Sequence, residues 1–409
     1  MNDARLMFMA VILLTAAMLG ASQTLAEETD KLGLNFSQDS VILHGAALTE
    51  AVAAQITNRF ADGTPIILDL ESASVDESAL VTLALHVRIK EIRITHGEQL
   101  LDRVLAAATR MTGLAAIFIS ETKMTDGAYE SLGKLPHLRA ISFSGVEFGK
   151  VAWIAQIADL EALILYSCTV VGDPIAQVLD LKRLRILGIS QTKMALAPDV
   201  SAASQLISLT SLNLVGCGIT DSQLARLLPY FPRLEELDVS ENPLTGKLWT
   251  MLENIRSLKE LNLTQTQFSN QTVPLLKTFT ALEVLVLSDT TVSDEAVDVL
   301  LKLPALMQLG ISRTKMTVKG VLAVLQSPSL IGLGIEGLLL TDDDMAAIAE
   351  SGKRQIRHIG LKDNLLTDRS AESIKSMRVL QTLNLMGNQL TPQAIQSLQK
   401  ALPGAIVAN

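Results

Sequence analysis

One register recurs along the chain with a spacing of about 24 residues, and this periodicity limits the possible folds more than any other feature. In every repeat the fourth and sixth residues are apolar, as expected for a short strand whose alternate side chains enter a core. The repeats begin at Pro65, Ile89, Leu114, Leu138, Leu160, Leu184, Leu209, Leu234, Leu258, Leu282, Leu306, Leu330, Ile356 and Leu380. The series predicts a stack of similar units, each of which buries its strand against its neighbours.

The second part of each repeat predicts a short helix. The eleventh residue is apolar in nearly every repeat, and the twelfth is often Ser or Thr, which can cap the free amides of a helix start. An acidic residue often follows, where the helix dipole favours negative charge, and Pro392 suits a first helical position. The hydroxyl residues are Thr125, Thr220, Thr245, Ser269, Ser293, Thr317, Thr341, Thr367 and Thr391, and the acids are Asp126, Asp221, Asp294, Asp342 and Asp368.

The whole repeat reads LxxLxLxxTxLTDxxLxxLxxLPxL, and over residues 65–402 it resembles the leucine-rich-repeat family. It is most similar to the short-helix repeats of secreted proteins from environmental bacteria, in which Thr or Cys often stands where other subclasses place Asn. The resemblance implies an α/β solenoid of about fourteen units. This solenoid would be a curved horseshoe with a parallel sheet on its concave face and helices on its convex face.

Both ends of such a stack need a cover, because repeats bury their faces only against each other. We expect residues 27–64 to form the N-terminal cap and residues 403–409 a C-terminal cap stub. Residues 1–26 have the pattern of a signal peptide, with Arg5, an apolar run from Leu6 to Leu19, and small residues up to Ala26. The run has 14 residues, short of the roughly 20 that span a bilayer, although an uncleaved anchor stays an alternative.

Charge and motifs argue against nucleic-acid binding and catalysis. The chain has 43 acidic and 34 basic residues, and its net charge of -9 disfavours sequence-independent binding to the phosphate backbone of a nucleic acid. The sequence contains neither HExxH nor GxSxG, and its five histidines fall at different repeat positions. We therefore assign no catalytic residue, metal ligand or cofactor, and we expect the protein not to be an enzyme.

Three other features receive structural interpretations. The GxGxxG spacing that starts at Gly332 lacks the context of a nucleotide loop, because Leu333 and Ile335 are core residues of a predicted strand. The acidic run 342–344 lies at a predicted helix start and lacks the spaced ligands of a calcium loop. Trp153 and Trp249 are sixteenth residues of their repeats, which favours a place in the helix-side core.

The preferred partner site lies on the predicted concave face, where exposed positions are free to vary between repeats. It is an apolar cluster with aromatic anchors, the composition that binding sites tend to have. Apolar residues scattered without a ligand are the alternative interpretation. The cluster consists of Phe118, Ile164, Tyr166 and Ile186.

Two further areas of the same face compete with this cluster. An acidic group would favour a basic partner, and a bare glycine surface would suit a closely approaching backbone. The acidic group is Glu235, Glu236, Asp238 and Glu241. The glycines are Gly310, Gly332, Gly334 and Gly360.

Together these features predict an exported protein, periplasmic or extracellular, that acts as a non-catalytic protein-interaction module. A glycan is an alternative ligand, and we expect a monomer without stable membrane insertion once the signal is removed. A structural envelope or matrix protein without a discrete ligand is one alternative, and a host-directed effector is another. An export signal and the lack of the Leu-Pro start typical of an F-box argue against an effector of the ubiquitin machinery.

Cys168 and Cys217 would ordinarily be paired in an exported protein. Both are ninth residues, and the Leu184 repeat lies between their own. Two strand spacings separate them by ~10 Å, beyond the ~7 Å between α-carbons that a disulfide tolerates. We expect two thiols, each in a slot where a small inward-facing residue bonds the neighbouring loop.

The signal-peptide interpretation predicts cleavage after Ala26 during export. Intact-mass measurement on protein made by its native host should give a chain that begins at Glu27. A mature protein that retains Met1 and the whole apolar run would contradict cleavage.

Overall fold

The structure is a computed structural model that describes residues 34–36, 39–98, 100–135, 137–149, 151–192, 205–245, 255–352 and 354–408. The proposed signal at residues 1–26 and Trp249 lie outside these residues. The chain divides into two compact halves between Ser211 and Leu212. No helix in the described ranges is long and apolar enough to cross a membrane.

The first half contains a parallel sheet in which each repeat strand pairs with the strand of the next repeat. Leu34–Phe36 pairs antiparallel with Ser40–His44 at one end, and two-residue strands form separate short ladders. The strands are Leu34–Phe36, Ser40–His44, Ala47–Leu48, Ile66–Glu71, Ser74–Val75, Ile89–Thr95, Ala116–Ser120, Ala140–Ser144, Glu147–Phe148, Ala162–Tyr166, Thr169–Val170 and Ile186–Ser190. The helices are Glu50–Arg59, Glu77–His86, Leu101–Ala108, Asp126–Gly133 and Pro174–Val178, with a 3₁₀ turn at Ile154–Gln156.

The second half repeats the arrangement with strands of three residues. From Glu236–Asp238 to Ile406–Ala408, each strand pairs in parallel with the next. The strands are Ser211–Asn213, which spans the division, then Glu236–Asp238, Glu260–Asn262, Val284–Val286, Gln308–Gly310, Gly332–Gly334, His358–Gly360, Thr382–Asn384 and Ile406–Ala408. The α-helices are Asp221–Leu227, Val297–Leu300, Val318–Val324, Asp342–Gly352, Ser370–Lys375 and Pro392–Ala401, and 3₁₀ turns lie at Leu228–Tyr230, Val273–Thr278 and Asp294–Ala296.

The core of each half is built from the positions that the repeat predicts. The fourth and sixth residues of all fourteen repeats are buried, and none is more than 3% exposed. Trp153 is 4% exposed and stacks with Tyr129 and Phe148, which confirms its place in the core. The α/β architecture of stacked strand-and-helix repeats is therefore the predicted one.

Several twelfth residues cap helices as predicted, although Ser293 makes no side-chain cap, and four of the acids that follow them have a second role. Thr125 and Thr391 accept hydrogen bonds from amides of their own helices. The Asp294 carboxylate accepts from the amide and hydroxyl of Thr317 in the next repeat, at 2.8 and 2.6 Å. The same bonds join Asp221 to Thr245, Asp342 to Thr367 and Asp368 to Thr391. These carboxylates thus tie one helix start to the next, in addition to any gain from the helix dipole.

In several repeats the ninth residue joins neighbouring repeats from within. The Asn242 amide nitrogen donates to the Leu214 carbonyl at 2.7 Å, and its oxygen accepts from Ile219 N at 2.9 Å. Thr192 in the first half makes comparable bonds to Leu165 O and Cys168 N. The expected inward-facing role is confirmed.

Both cysteines are thiols, as predicted. The Cys168 thiol lies 3.3 Å from the Tyr166 carbonyl in the same kind of slot. Burial raises the pKa of Cys168 to about 11, so this thiol stays protonated and unreactive at neutral pH.

Asp69 is a carboxylate largely enclosed within the sheet of the first half. It lies in register between Ile42 and Arg93 on the neighbouring strands. Burial raises the pKa of Asp69 to about 6, and Arg93 only partly opposes this shift. The folded protein therefore holds a proton on Asp69 more tightly than the unfolded chain does.

Asn242→Ala should destabilise the second half by about 2–4 kcal/mol, because buried amide and carbonyl groups of two repeats lose their partner. Asn242→Thr should cost less, since Thr266 in the same position still donates to a carbonyl of its own repeat at 2.7 Å. Urea unfolding followed by circular dichroism measures both losses. Equal stability of the two variants would contradict the bridging role.

Asp69→Asn should stabilise the protein at pH 7 and have little effect near pH 4. A raised folded-state pKa contributes stability that is present below the unfolded value of about 4 and is lost as pH rises through 6. The gain at pH 7 should be about 1–3 kcal/mol, measured by urea unfolding across pH 4–8. Glu98→Gln, a change at an exposed carboxylate of the same half, is the control and should leave the pH profile unaltered. A wild-type profile without this decline between pH 4 and 7 would refute the buried-acid interpretation.

Candidate functional site: the glycine hollow

The third, fifth and seventh residues of the repeats share the sheet face opposite the buried fourth and sixth residues, and we call it the open face. On the open face of the first half, the predicted apolar patch is less exposed than the sequence suggested. Ile164 and Ile186 are each only 8% exposed, so the expectation of exposed side chains is wrong for both. Adjacent strands lie about 4.8 Å apart, and Ile164 is in register with Ser142 and with Gly188, where its side chain lies in ordinary contact distance of the place that a Cβ would take.

The aromatic members of that patch keep partial exposure. Phe118 is half-buried, and the Arg93 guanidinium lies 5.6 Å from its ring centroid. Tyr166 is also half-buried, but a whole strand, Ala140–Ser144, lies between its own strand and that of Phe118. The structure therefore does not bring the four residues into one continuous apolar surface.

The acidic group on the open face of the second half is largely committed to bonds within the sheet. Asp238 accepts from Ser240 Oγ at 2.7 Å and from Asn262 Nδ2 at 2.9 Å. Burial raises the pKa of Asp238, and Glu236 is only 8% exposed. Glu241 is exposed at a positive φ of 59°. A basic ligand would thus meet Glu241 more readily than Asp238.

Further along the second half, the open face carries a hollow of about 390 Å³. Its floor contains all four glycines that the sequence suggested as a bare surface. Adjacent strands place Gly310 beside Gly334 and Gly334 beside Gly360, so the missing side chains form one track across three strands. The hollow is lined by Val284, Val286, Gln308, Leu309, Gly310, Gly332, Leu333, Gly334, His358, Ile359, Gly360, Thr382, Leu383, Asn384, Ile406 and Ala408.

Apolar side chains border the hollow at both ends, and polar groups lie between them. Val284 and Val286 stand at one end, and Ile406, 75% exposed, stands at the other. The His358 ring shares a hydrogen bond of 2.9 Å with Thr382 through Nδ1. This combination of apolar ends, polar groups and exposed backbone suits contact with a polypeptide more than with a uniformly polar ligand.

Glu336 adds a charge at the rim of the hollow. Its Oε1 atom occupies the space that a Cβ at Gly360 would need, and its Oε2 atom lies 3.2 Å from the place of a Cβ at Gly334. The carboxylate therefore rests over the glycine track, and Gly360 makes room for it. The sequence identified the glycines but not Glu336. The signal for Glu336 was its seventh position in the repeat, on the same face as the fifth-position glycines.

Comparison with solved structures finds proteins of the same general kind. A leucine-rich-repeat protein of Leptospira interrogans is 17% identical, with 81% of this chain and 98% of that chain covered and a TM-score of 0.44. An internalin of Listeria monocytogenes is 16% identical, with 96% and 92% covered and a TM-score of 0.44. The mouse RP105/MD-1 complex is 17% identical, with 90% and 57% covered and a TM-score of 0.49. No curated protein matches the sequence.

Sequence models of the leucine-rich repeat match three segments of the chain. Residues 205–222 and 376–398 match one model described as a leucine-rich repeat, and residues 233–255 match another. These segments fall in the register that starts at Leu209, Leu234 and Leu380, where the fourth and sixth residues are buried. The repeat unit, the stacked parallel strands and these matches together show that the chain is built of leucine-rich repeats.

Proposed function

We propose that this protein is an exported, non-catalytic interaction module that binds a partner protein on the open face of its sheets. Leucine-rich-repeat proteins are generally scaffolds whose stacked strands offer an extended surface to partners. The predicted signal at residues 1–26 would place this role in the periplasm or outside the cell.

The glycine track carries this proposal. Glycine inside a strand costs about 0.5–1 kcal/mol relative to alanine, so a run of glycines needs a reason. Packing explains Gly310 and Gly360, where an added Cβ would meet Val286 Cγ1 at 2.9 Å or the Glu336 carboxylate. It explains Gly332 and Gly334 less well, because the nearest atoms there, Gln308 Cγ and Glu336 Oε2, lie at 3.1 and 3.2 Å and belong to flexible side chains. Other repeats hold Asp238 or Val286 at the fifth position that Gly334 occupies. Close approach of a ligand main chain would explain why these positions carry no side chain.

Other positions on the open face are alternatives within the same function. In the first half, Phe118 and Tyr166 offer half-buried aromatic surface on two strands that are not adjacent, and Ile164 and Ile186 are largely buried. In the second half, Glu241 with Asp238 offers negative charge for a basic partner or, less directly, hydroxyls of a glycan. A structural envelope role without a discrete ligand is the competing function.

Filling the hollow should weaken binding, and one variant does this with a matched control. Gly334→Val places a side chain on the floor, whereas Gly188→Val makes the same change at the fifth position of a repeat in the first half, where an added Cβ fits at 3.6 Å. A partner captured by crosslinking from extract of the native host is purified and titrated against each variant. We expect Gly334→Val to weaken its affinity by about tenfold or more and Gly188→Val to leave it unchanged.

Thermal unfolding of both variants verifies that each remains folded. Unchanged affinity in Gly334→Val, with a loss in the double variant Phe118→Ala and Tyr166→Ala, would move the site to the first half. A protein that binds no component of its own envelope saturably would instead favour the structural role.

A further inference from the structure

Building on the proposed function, we infer that the hollow receives an extended segment of the partner and that Glu336 binds a lysine or arginine side chain of that segment. The observations behind this inference are the dimensions of the hollow, the charge at its rim and the apolar residues at its ends.

The hollow is long enough for a peptide. It crosses six neighbouring strands, from Val284–Val286 to Ile406–Ala408. Five spacings of about 4.8 Å make a track of roughly 24 Å, which an extended chain covers with about seven residues at 3.3 Å each. The glycines at its centre allow main chain to lie against main chain.

The Glu336 carboxylate at the rim of the hollow favours a positively charged group of the ligand. Within the described part of the chain, no Lys, Arg or His lies within ion-pair distance of Glu336. Arg313 and Lys362, on the same edge, pair with other acids, although the charge of Glu336 also acts on Arg313. Arg313 donates two hydrogen bonds to Asp289, at 2.7 and 2.6 Å, and Lys362 lies 3.7 Å from Asp363. A basic side chain from a ligand would therefore supply the ion pair that the chain itself does not.

The surroundings of Glu336 strengthen such a pair. Its carboxylate is half-buried over Gly334 and Gly360, so a bound segment would exclude water from it. Charge-assisted hydrogen bonds gain strength when the local dielectric constant falls. Val284 at one end and Ile406 at the other would contact apolar residues on either side of the basic one. A free polyamine has the charge but not these apolar contacts.

Selection from a displayed library of random decapeptides on the full chain tests the inference. Recovered peptides should share one Lys or Arg flanked by apolar residues. A synthetic copy of one, with norleucine in place of its lysine, should bind about tenfold more weakly in fluorescence anisotropy. Glu336→Gln should cause the same loss for the parent peptide, and combining the two changes should add little, because both remove one interaction.

Glu71→Gln is the matched control, since Glu71 is also the seventh residue of its repeat but pairs with His44 at 2.9 Å in the first half. It should leave peptide affinity unchanged. An affinity that survives Glu336→Gln, or that falls equally in Glu71→Gln, would overturn the inference. So would a library without any saturable binder. None of these results would decide the proposed function itself. That function is tested separately, by titration of the whole partner protein against the Gly334→Val variant.

Discussion

Where the inward-facing ninth residue is Asn, Thr or Cys, its hydrogen bonds are the constraint on which the repeats depend. Each strand ends in a turn whose amides and carbonyls point into the interior, and buried backbone groups must find partners. The ninth side chain supplies them: Asn364 donates to Ile335 O of the preceding repeat and to Leu361 O of its own. One side chain thereby fixes the register between two strands and satisfies the turn that follows them.

This arrangement also sustains backbone strain. The eighth residue of all fourteen repeats has a positive φ, and at Arg313 and Asp363, as at most of these positions, it is not glycine. A non-glycine residue in the left-handed region costs of order 1 kcal/mol and persists only where its surroundings enforce it. The turn bonds on both sides provide that enforcement. Because the interior fixes the fold, the side chains of the open face are free to vary.

The division between interior and open face explains what the sequence could predict. The period located the buried pairs, such as Leu212 with Leu214, because burial there depends only on strand alternation. The capping role of Thr317 was predictable for a similar local reason. The bond from Thr317 to Asp294 was not, because it joins residues of different repeats whose side chains meet only after stacking.

Exposure on the open face escaped sequence reasoning for the same reason. Ile164 occupies a position that alternation assigns to solvent, yet it is only 8% exposed, and its side chain lies against the bare backbone of Gly188 on the next strand. The glycines at 334 and 360 were recognisable, since the absence of a side chain does not depend on neighbours. Glu336 acquires its place only because Gly360 leaves room for it, which is a relation between two repeats.

Two asparagines join strands of the glycine floor through the interior. In the Leu258, Leu282 and Leu306 repeats, the last of which contains Gly310, Thr266, Thr290 and Thr314 donate to a carbonyl of their own repeat. Asn364 and Asn388 instead bridge to the preceding repeat, through Ile335 O and Leu361 O at 3.0 and 2.9 Å. These bridges join the strands that contain Gly334, Gly360 and Asn384, where the loss of side chains weakens packing on the open face. Hydrogen bonds on the interior side of the sheet hold these glycine-containing strands in place, so the strands lose little conformational entropy when a ligand binds. Such preorganisation raises affinity without additional contacts.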